Sequence, residues 1–418
     1  MQFPPDSNNS AYPGSDAAPV APEQGQSLPE VSSDRNDYVP PQEFFLHEAP
    51  PPSGPGMVLP ARSSKNKRKF ILIGLLLFIV IVIGVPIVYL QIFFPPSKAT
   101  ATPGVATAAV PSSRTILPTP GKIMTGVRMT SSLSAVDLFE KDTDKKVSII
   151  ARYQDWGATG GAQNFPVMWT TSVRNRGSIP LITWEPWASK GNNEPTFALR
   201  NIIAGNFDVY IRQWAQDAKA WGYPLFLSFA PEMNGDWFPW SERVNGNRAG
   251  EFVQLWRHVH AIFTAIGATN VTWIWSPNIN YYGSAGLSEL YPGDAYVDWT
   301  AMDGFNWGVV PGHKKWLTFS QVFAPTYENI LKITQKPMMV AEAGSSEKGG
   351  NKAAWITDAY SVALPENFPQ VKAVIWFNEV TQEDWRVESS QTALKAFAKE
   401  MQSSLYASNI YGDNYIGG

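Results

Sequence analysis

At 418 residues the chain has room for two or three domains, and its composition is divided: 20 of the 34 prolines fall in the first 120 residues, whereas all 17 tryptophans lie after residue 150. Lysine and arginine against aspartate and glutamate give 33 − 36 = −3, so no global basic field gathers phosphates and no nucleic-acid partner is expected. The absence of cysteine excludes disulfides, thiol nucleophiles and cysteine-ligated metals, and His258 and His260, two apart in a helical pattern, face different ways, so neither a metal nor a cofactor is expected.

In chain order, residues 1–69 open with Pro, Ser, Asn and acidic side chains that cannot bury a core, and read as a disordered cytoplasmic tail. Residues 70–94 contain 21 consecutive uncharged, apolar positions (70–90), enough for one transmembrane helix, with the lipid bilayer as a partner. Arg62, Lys65, Lys67, Arg68 and Lys69 precede the run, while only Lys98 follows it before Arg114. The positive-inside rule therefore predicts a single-pass membrane protein with a cytoplasmic N-terminus and an extracytoplasmic remainder. Residues 95–120, rich in Pro, Ala and Thr, read as a semi-extended linker.

Residues 121–418 alternate short β-branched runs with stretches of helical period, the pattern of βα units around a parallel sheet. Strand cores are expected at 125–129, 147–153, 179–184, 224–230, 271–276, 298–305, 337–342 and 371–377, with helices at 164–176, 207–221, 249–266, 318–333, 351–360 and 391–403. Eight such repeats predict an α/β fold, a (β/α)8 TIM barrel. A doubly wound open sheet is the second choice, but no Gly-rich phosphate loop follows the first strand.

In a barrel the chemistry belongs at the C-terminal strand ends. Those ends offer Tyr153, Asp155 and Trp156, then Trp184, Glu185 and Trp187, then Glu232, Asn234, Trp237 and Trp240. Asn278, Asp303, Asn306, Trp307, Glu342, Trp376, Asn378 and Glu379 follow from the later strands. Indoles stack on the C–H faces of sugars, amides bind hydroxyls, and two carboxyls can perform glycosidic acid, base and nucleophilic work. Glu232, in a loop dense with indoles, is suited to a raised pKa, and Glu342 ends an almost wholly apolar strand. Trp214, Trp221, Trp256 and Trp355 lie in helical stretches and are expected in the core.

At these residues the chain resembles glycoside hydrolase family 26, retaining (β/α)8 enzymes that include β-mannanases and mixed-linkage β-glucanases. PEMNGDWFPW (231–240) is similar to the family's acid/base segment and MVAEAG (339–344) to its nucleophile segment, supported by YQDWG (153–157), ITWEPW (182–187), WSPN (275–278), DGFNWG (303–308) and IWFNE (375–379). The resemblance implies a polysaccharide substrate, β-mannan or a related β-glucan, with Glu232 as acid/base and Glu342 as nucleophile. It implies substrate contacts from Trp156, Trp184, Glu185, Trp187, Asn234, Trp237, Trp240, Asn278, Phe305, Trp307 and Trp376, the last as a floor for the sugar being cleaved. Two departures stand out. Pro231 replaces the histidine typical of mannanases, a form nearer the lichenase-type branch, and Phe305 stands where the family commonly has a tyrosine that hydrogen-bonds the nucleophile. A mixed-linkage glucanase, and a non-catalytic carbohydrate-binding or polysaccharide-assembly protein on the same barrel, are the alternatives.

Overall fold

A computed structural model of the chain describes residues 116–129, 132–157, 163–280 and 284–408. The expected tail, membrane span and linker up to residue 115 lie outside the described residues. Among those described, no helix is long and apolar enough to cross a membrane. Within residues 116–120, expected in the linker, Ile116 packs onto the barrel: it is buried and its carbonyl accepts from Trp299 Nε1 at 3.0 Å.

All eight expected strands form: β1 (Ile123–Arg128), β2 (Ile149–Asp155), β3 (Ile179–Glu185), β4 (Leu225–Phe229), β5 (Val271–Trp275), β6 (Trp299–Asn306), β7 (Met338–Ser345) and β8 (Val371–Phe377). Each pairs in parallel with the next, and β8 pairs back onto β1 from Met124–Ala373 to Arg128–Phe377, closing the barrel. The outer layer comprises α1 (Leu133–Asp142), α2 (Val167–Asn175), α3 (Asp208–Trp221), α4 (Glu251–Ile266), α5 (Phe319–Leu331), α6 (Lys352–Asp358) and α7 (Gln391–Met401). The expected helices recur with slightly shorter bounds. α1 was not expected, and it buries only Val136, Phe139 and Glu140, too sparse an apolar stripe to stand out in sequence. Between β5 and β6 a single turn, Leu287–Leu290, takes the place of a full helix.

Two periodicities set the layers. Along α3, Ile211, Trp214, Ala215, Ala218 and Trp221 share one buried face, and Gly222 ends the helix at φ 76°, which suits a residue without Cβ. Along the strands alternate residues face the lumen: Met124, Ile149, Ala151, Leu181, Phe226, Ile274, Trp299, Ala301, Met339 and Ile375 fill its lower part. Polar residues of the same parity, among them Arg128, Tyr153, Thr183, Glu185 and Asp303, stack above them toward the mouth.

β7 breaks this parity. Met302–Val340 is followed by Asp303–Glu342, and Val374–Val340 by Trp376–Ala343, so β7 carries one extra residue relative to both neighbours. This bulge turns Glu342 to the same side as Ala341, into the mouth, where regular alternation would aim it at the helices.

A buried cation secures the loop after β8. Lys352 is fully buried, and its ammonium donates to the carbonyls of Asp384 (3.2 Å), Trp385 (3.1 Å) and Arg386 (2.7 Å) and to Ser389 Oγ (2.9 Å). Trp385, carried on that loop, packs against Phe305 and Trp307 beneath the mouth. Replacing Lys352 by Met leaves three carbonyls without their donor and is expected to lower stability by about 3 kcal/mol. Denaturant titration of the two proteins measures this, and an unchanged midpoint would show that the loop holds without the clamp.

Candidate active site

Glu232, Glu342, Glu185 and Asp303 line one small cleft at the C-terminal end of the barrel, together with Tyr153, Pro231 and Phe238. β4 delivers Glu232 three residues beyond its end, after Ala230 and Pro231. Its amide donates to Ser276 O at 2.7 Å, tying the loop to the end of β5. The carboxyl accepts from Trp237 Nε1 at Oε2 (2.7 Å) and from Asn278 Nδ2 at Oε1 (2.6 Å). Asn278 is held by reciprocal bonds with Asn234: its amide donates to Asn234 Oδ1 and its carbonyl accepts from Asn234 Nδ2, both at 2.9 Å.

Glu342 Oε1 accepts from Tyr153 Oη at 2.5 Å and lies 3.1 Å from Arg128 Nε. Arg128 is itself buried, donates from Nη2 to Thr183 Oγ1 at 2.8 Å, and lies 4.2 Å from the Tyr153 ring centre. Asp303 Oδ2 accepts from Ser276 Oγ at 2.7 Å, and Glu185 Oε2 from Trp187 Nε1 at 3.3 Å.

Burial above all, then repulsion from Glu342, pushes Glu232 up to about 8, against the opposing pull of Asn278, Trp237 and Arg128. Burial raises Glu342 as well, but Arg128 and Tyr153 act against it. Of this coupled pair Glu342 is the one at ion-pair distance from the guanidinium, so it ionises first and Glu232 keeps the proton. The pair thus divides into one acid, Glu232, and one carboxylate, Glu342.

The other sequence candidates divide by strand parity and by contact. Trp237 and Asn278 touch Glu232, Asn234 positions Asn278, and Trp187 touches Glu185. Trp240 is fully buried. Its Nε1 donates to Pro231 O at 2.6 Å and its ring stacks on Phe238 at 4.3 Å, so it supports the cleft wall from behind.

Trp156 and Trp184 are not at the cleft. Trp184 occupies the outward parity of β3 and packs on Trp214 and Phe263 of α3 and α4, while Trp156 packs on Trp184, Phe207 and Phe229. Trp376 likewise faces the helices, against Trp355 of α6 and Phe397 of α7, with Nε1 donating to Trp385 O at 3.0 Å, and cannot floor the sugar. Phe305 is buried against Phe377 and Trp385. Trp307, also buried, lies parallel to His313 at 4.5 Å in the hairpin after β6.

Arg128 does not stand among the strand-end candidates of the sequence, where Tyr153 carries no assigned role and Asp303 a supporting role or none. The available signal for Arg128 is a cation ending the mostly apolar β1, four residues from Met124 and thus on the lumen parity.

Comparison with known proteins bears on these residues. The model of the Glycosyl hydrolase family 26 matches residues 124–354, from β1 into α6. Endoglucanase H of Acetivibrio thermocellus is 40% identical over 283 residues, covering 66% of this chain and 30% of that protein. A mannan endo-1,4-beta-mannosidase of Bacillus subtilis is 27% identical over 154 residues, 35% of this chain and 37% of that one. The chain therefore spans about a third of the length of each of these relatives. Among solved structures, the Bacillus subtilis mannanase man26 superposes with a TM-score of 0.53 at 17% identity, covering 70% of this chain and 88% of that one. The catalytic domain of a Bacillus sp. JAMB-750 GH26 endo-beta-1,4-mannanase gives the same score and identity, over 70% and 89%. These two likenesses bear on the fold.

The electrostatics predict opposite responses to two substitutions. With 13C-labelled carboxyls followed by NMR, Glu232 should titrate near 8. Glu342→Gln removes the neighbouring charge and should lower that value, whereas Trp237→Phe removes a donor to the carboxylate and should raise it. A Glu232 carboxyl that titrates in the ordinary glutamate range, or that moves the same way in both variants, would refute this account.

Proposed function

The chain belongs to glycosyl hydrolase family 26, and from that premise we propose that it is a retaining endo-β-glycanase that hydrolyses β-1,4-linked mannan or a related β-glycan with Glu232 and Glu342. The observation that carries the reading is the division of protons between two carboxyls in one cleft, Glu232 pushed up to about 8 and Glu342 held by Arg128 and Tyr153. In the first step Glu232 donates its proton to the leaving glycosidic oxygen while ionised Glu342 attacks the anomeric carbon and forms a covalent glycosyl-enzyme. With the leaving group gone, Glu232, now ionised and held by Trp237 and Asn278, takes a proton from water, which attacks the same carbon and releases Glu342. Tyr153 donates to Glu342 from β2, so the hydroxyl that Phe305 lacks is supplied by another strand.

A mixed-linkage β-glucanase is the second reading. It is favoured by Pro231 in place of a histidine and by the higher identity to Endoglucanase H, 40%, than to the mannosidase, 27%. For the whole chain we propose anchoring by residues 70–94 with the hydrolase outside, supported by the uncharged run and the five basic residues before it.

Reducing-sugar release from mannan, glucomannan, lichenan and β-1,3-xylan decides among the polymers. Glu342→Ala should abolish release, and Glu232→Ala should cut only substrates with good leaving groups. Proton NMR during hydrolysis should show the β-anomer first. Binding without cleavage of any polymer would instead favour the carbohydrate-binding alternative. In inverted vesicles, added protease should digest residues 1–60 and spare 121–418, and the reverse pattern would overturn the orientation.

A further inference from the structure

We propose that Glu185 serves as a neutral carboxylic acid that binds substrate, its O–H donating to a hydroxyl of the sugar seated against Glu232 and Glu342. This inference deepens the proposed hydrolase reading and rests on it for the nature of the ligand. Glu185 ends β3 on the lumen parity of Leu181 and Thr183, is 2% exposed, and lines the cleft beside both proposed reacting carboxyls. Its Oε2 accepts from Trp187 Nε1, but its Oε1 is buried and meets no protein donor or acceptor.

Charge decides the protonation state. The titratable groups around Glu185 are Arg128, Glu342 and, paired in register on β2, Asp155, with Glu232 and Asp303 lining the same cleft. Arg128 is the cation among them: its Nε lies 3.1 Å from Glu342 Oε1 and its Nη2 donates to Thr183, while its buried Nη1 meets no hydrogen-bond partner. A buried carboxylate that accepts one long hydrogen bond and shares its nearest cation with Glu342 is costly, whereas the acid form is not. Burial foremost, opposed by Trp187 and Arg128 and reinforced by Glu342 and Asp155, accordingly pushes Glu185 well above the usual carboxylate range. With Oε2 already accepting from Trp187, the proton sits on Oε1. That proton has no acceptor in the protein, and the group that enters the cleft with lone pairs to offer is a sugar hydroxyl.

The test uses the full-length protein in a Glu232→Gln background, which halts acid catalysis and leaves Arg128 paired to Glu342. Calorimetry with manno- and gluco-oligosaccharides compares Glu185, Glu185→Gln and Glu185→Ala. The amide of glutamine can donate as the acid does, so Glu185→Gln should bind within about threefold of Glu185, while Glu185→Ala should bind about tenfold more weakly or worse. Glutamine as damaging as alanine would mean that an anion is required, and alanine without effect would mean no contact with the sugar. Either result overturns the proposal. Should the alanine variant fail to fold, the 13C carboxyl resonance of Glu185 decides: a protonated shift at neutral pH that moves on adding oligosaccharide supports it, and an ionised shift refutes it. Because binding is read without turnover, absence of hydrolysis in the wild-type protein would sink the enzymatic reading and leave this test standing.

Discussion

One guanidinium organises the mouth of this barrel. Arg128 is almost wholly buried, and Glu185, Glu232, Asp303 and Glu342 crowd the cleft around it. One cation cannot neutralise four carboxyls, so its position determines which of them carries charge. It sits 3.1 Å from Glu342 and against the face of Tyr153, whose hydroxyl donates to the same glutamate oxygen. The three residues tie β1, β2 and β7 together around a single negative charge. Every other carboxyl in the cleft is then pressed toward its acid form by burial and by Glu342, which makes Glu232 a proton donor without any cation of its own.

Much of this was legible in the sequence, because strand cores, helical period and the two glutamate segments are local patterns. The indoles misled for a reason that is also local. Trp184 and Glu185, or Trp376 and Phe377, are sequence neighbours at a strand end, and period 2 sends one to the helices and the other to the lumen. Proximity to a motif therefore says little about which neighbour meets the substrate; parity counted from the strand interior says more. Arg128 illustrates the gain, since counting from Met124 would have placed it in the lumen. Parity in turn fails at β7, where the bulge at Ala341 reverses the facing of Glu342. That reversal depends on pairing with β6 and β8, which no window of one strand contains.

Phe305 and Tyr153 divide apolar packing and hydrogen bonding near Glu342 between two strands. A phenylalanine there cannot donate, and it is buried against Phe377 and Trp385 as part of an aromatic wall. The wall is held in turn by Lys352, whose ammonium fixes the carbonyls flanking Trp385. The donor to Glu342 comes from Tyr153 on the opposite side. The hydrogen bond to Glu342 thus comes from β2, and position 305 on β6 is given to apolar packing.

The loop that carries Glu232 stores backbone strain that the surrounding contacts must offset. Ala230 and Glu232 adopt φ of 46° and 52°, a left-handed conformation that costs side-chain-bearing residues about 1–3 kcal/mol each. Regular extension of β4 would instead carry position 232 along the barrel wall. The two turns are held by Trp240 Nε1 on Pro231 O, by the Glu232 amide on Ser276 O, and by the Gly235 amide on Glu232 O. Gly235 is required for closeness: a Cβ there would meet the Trp237 ring at 2.5 Å and push it off the carboxyl it donates to. Strain, the small residue and the indole therefore form one device. The backbone is bent so that the carboxyl enters the cleft, and the bend persists because Trp240 holds the turn while Trp237 donates to the carboxyl.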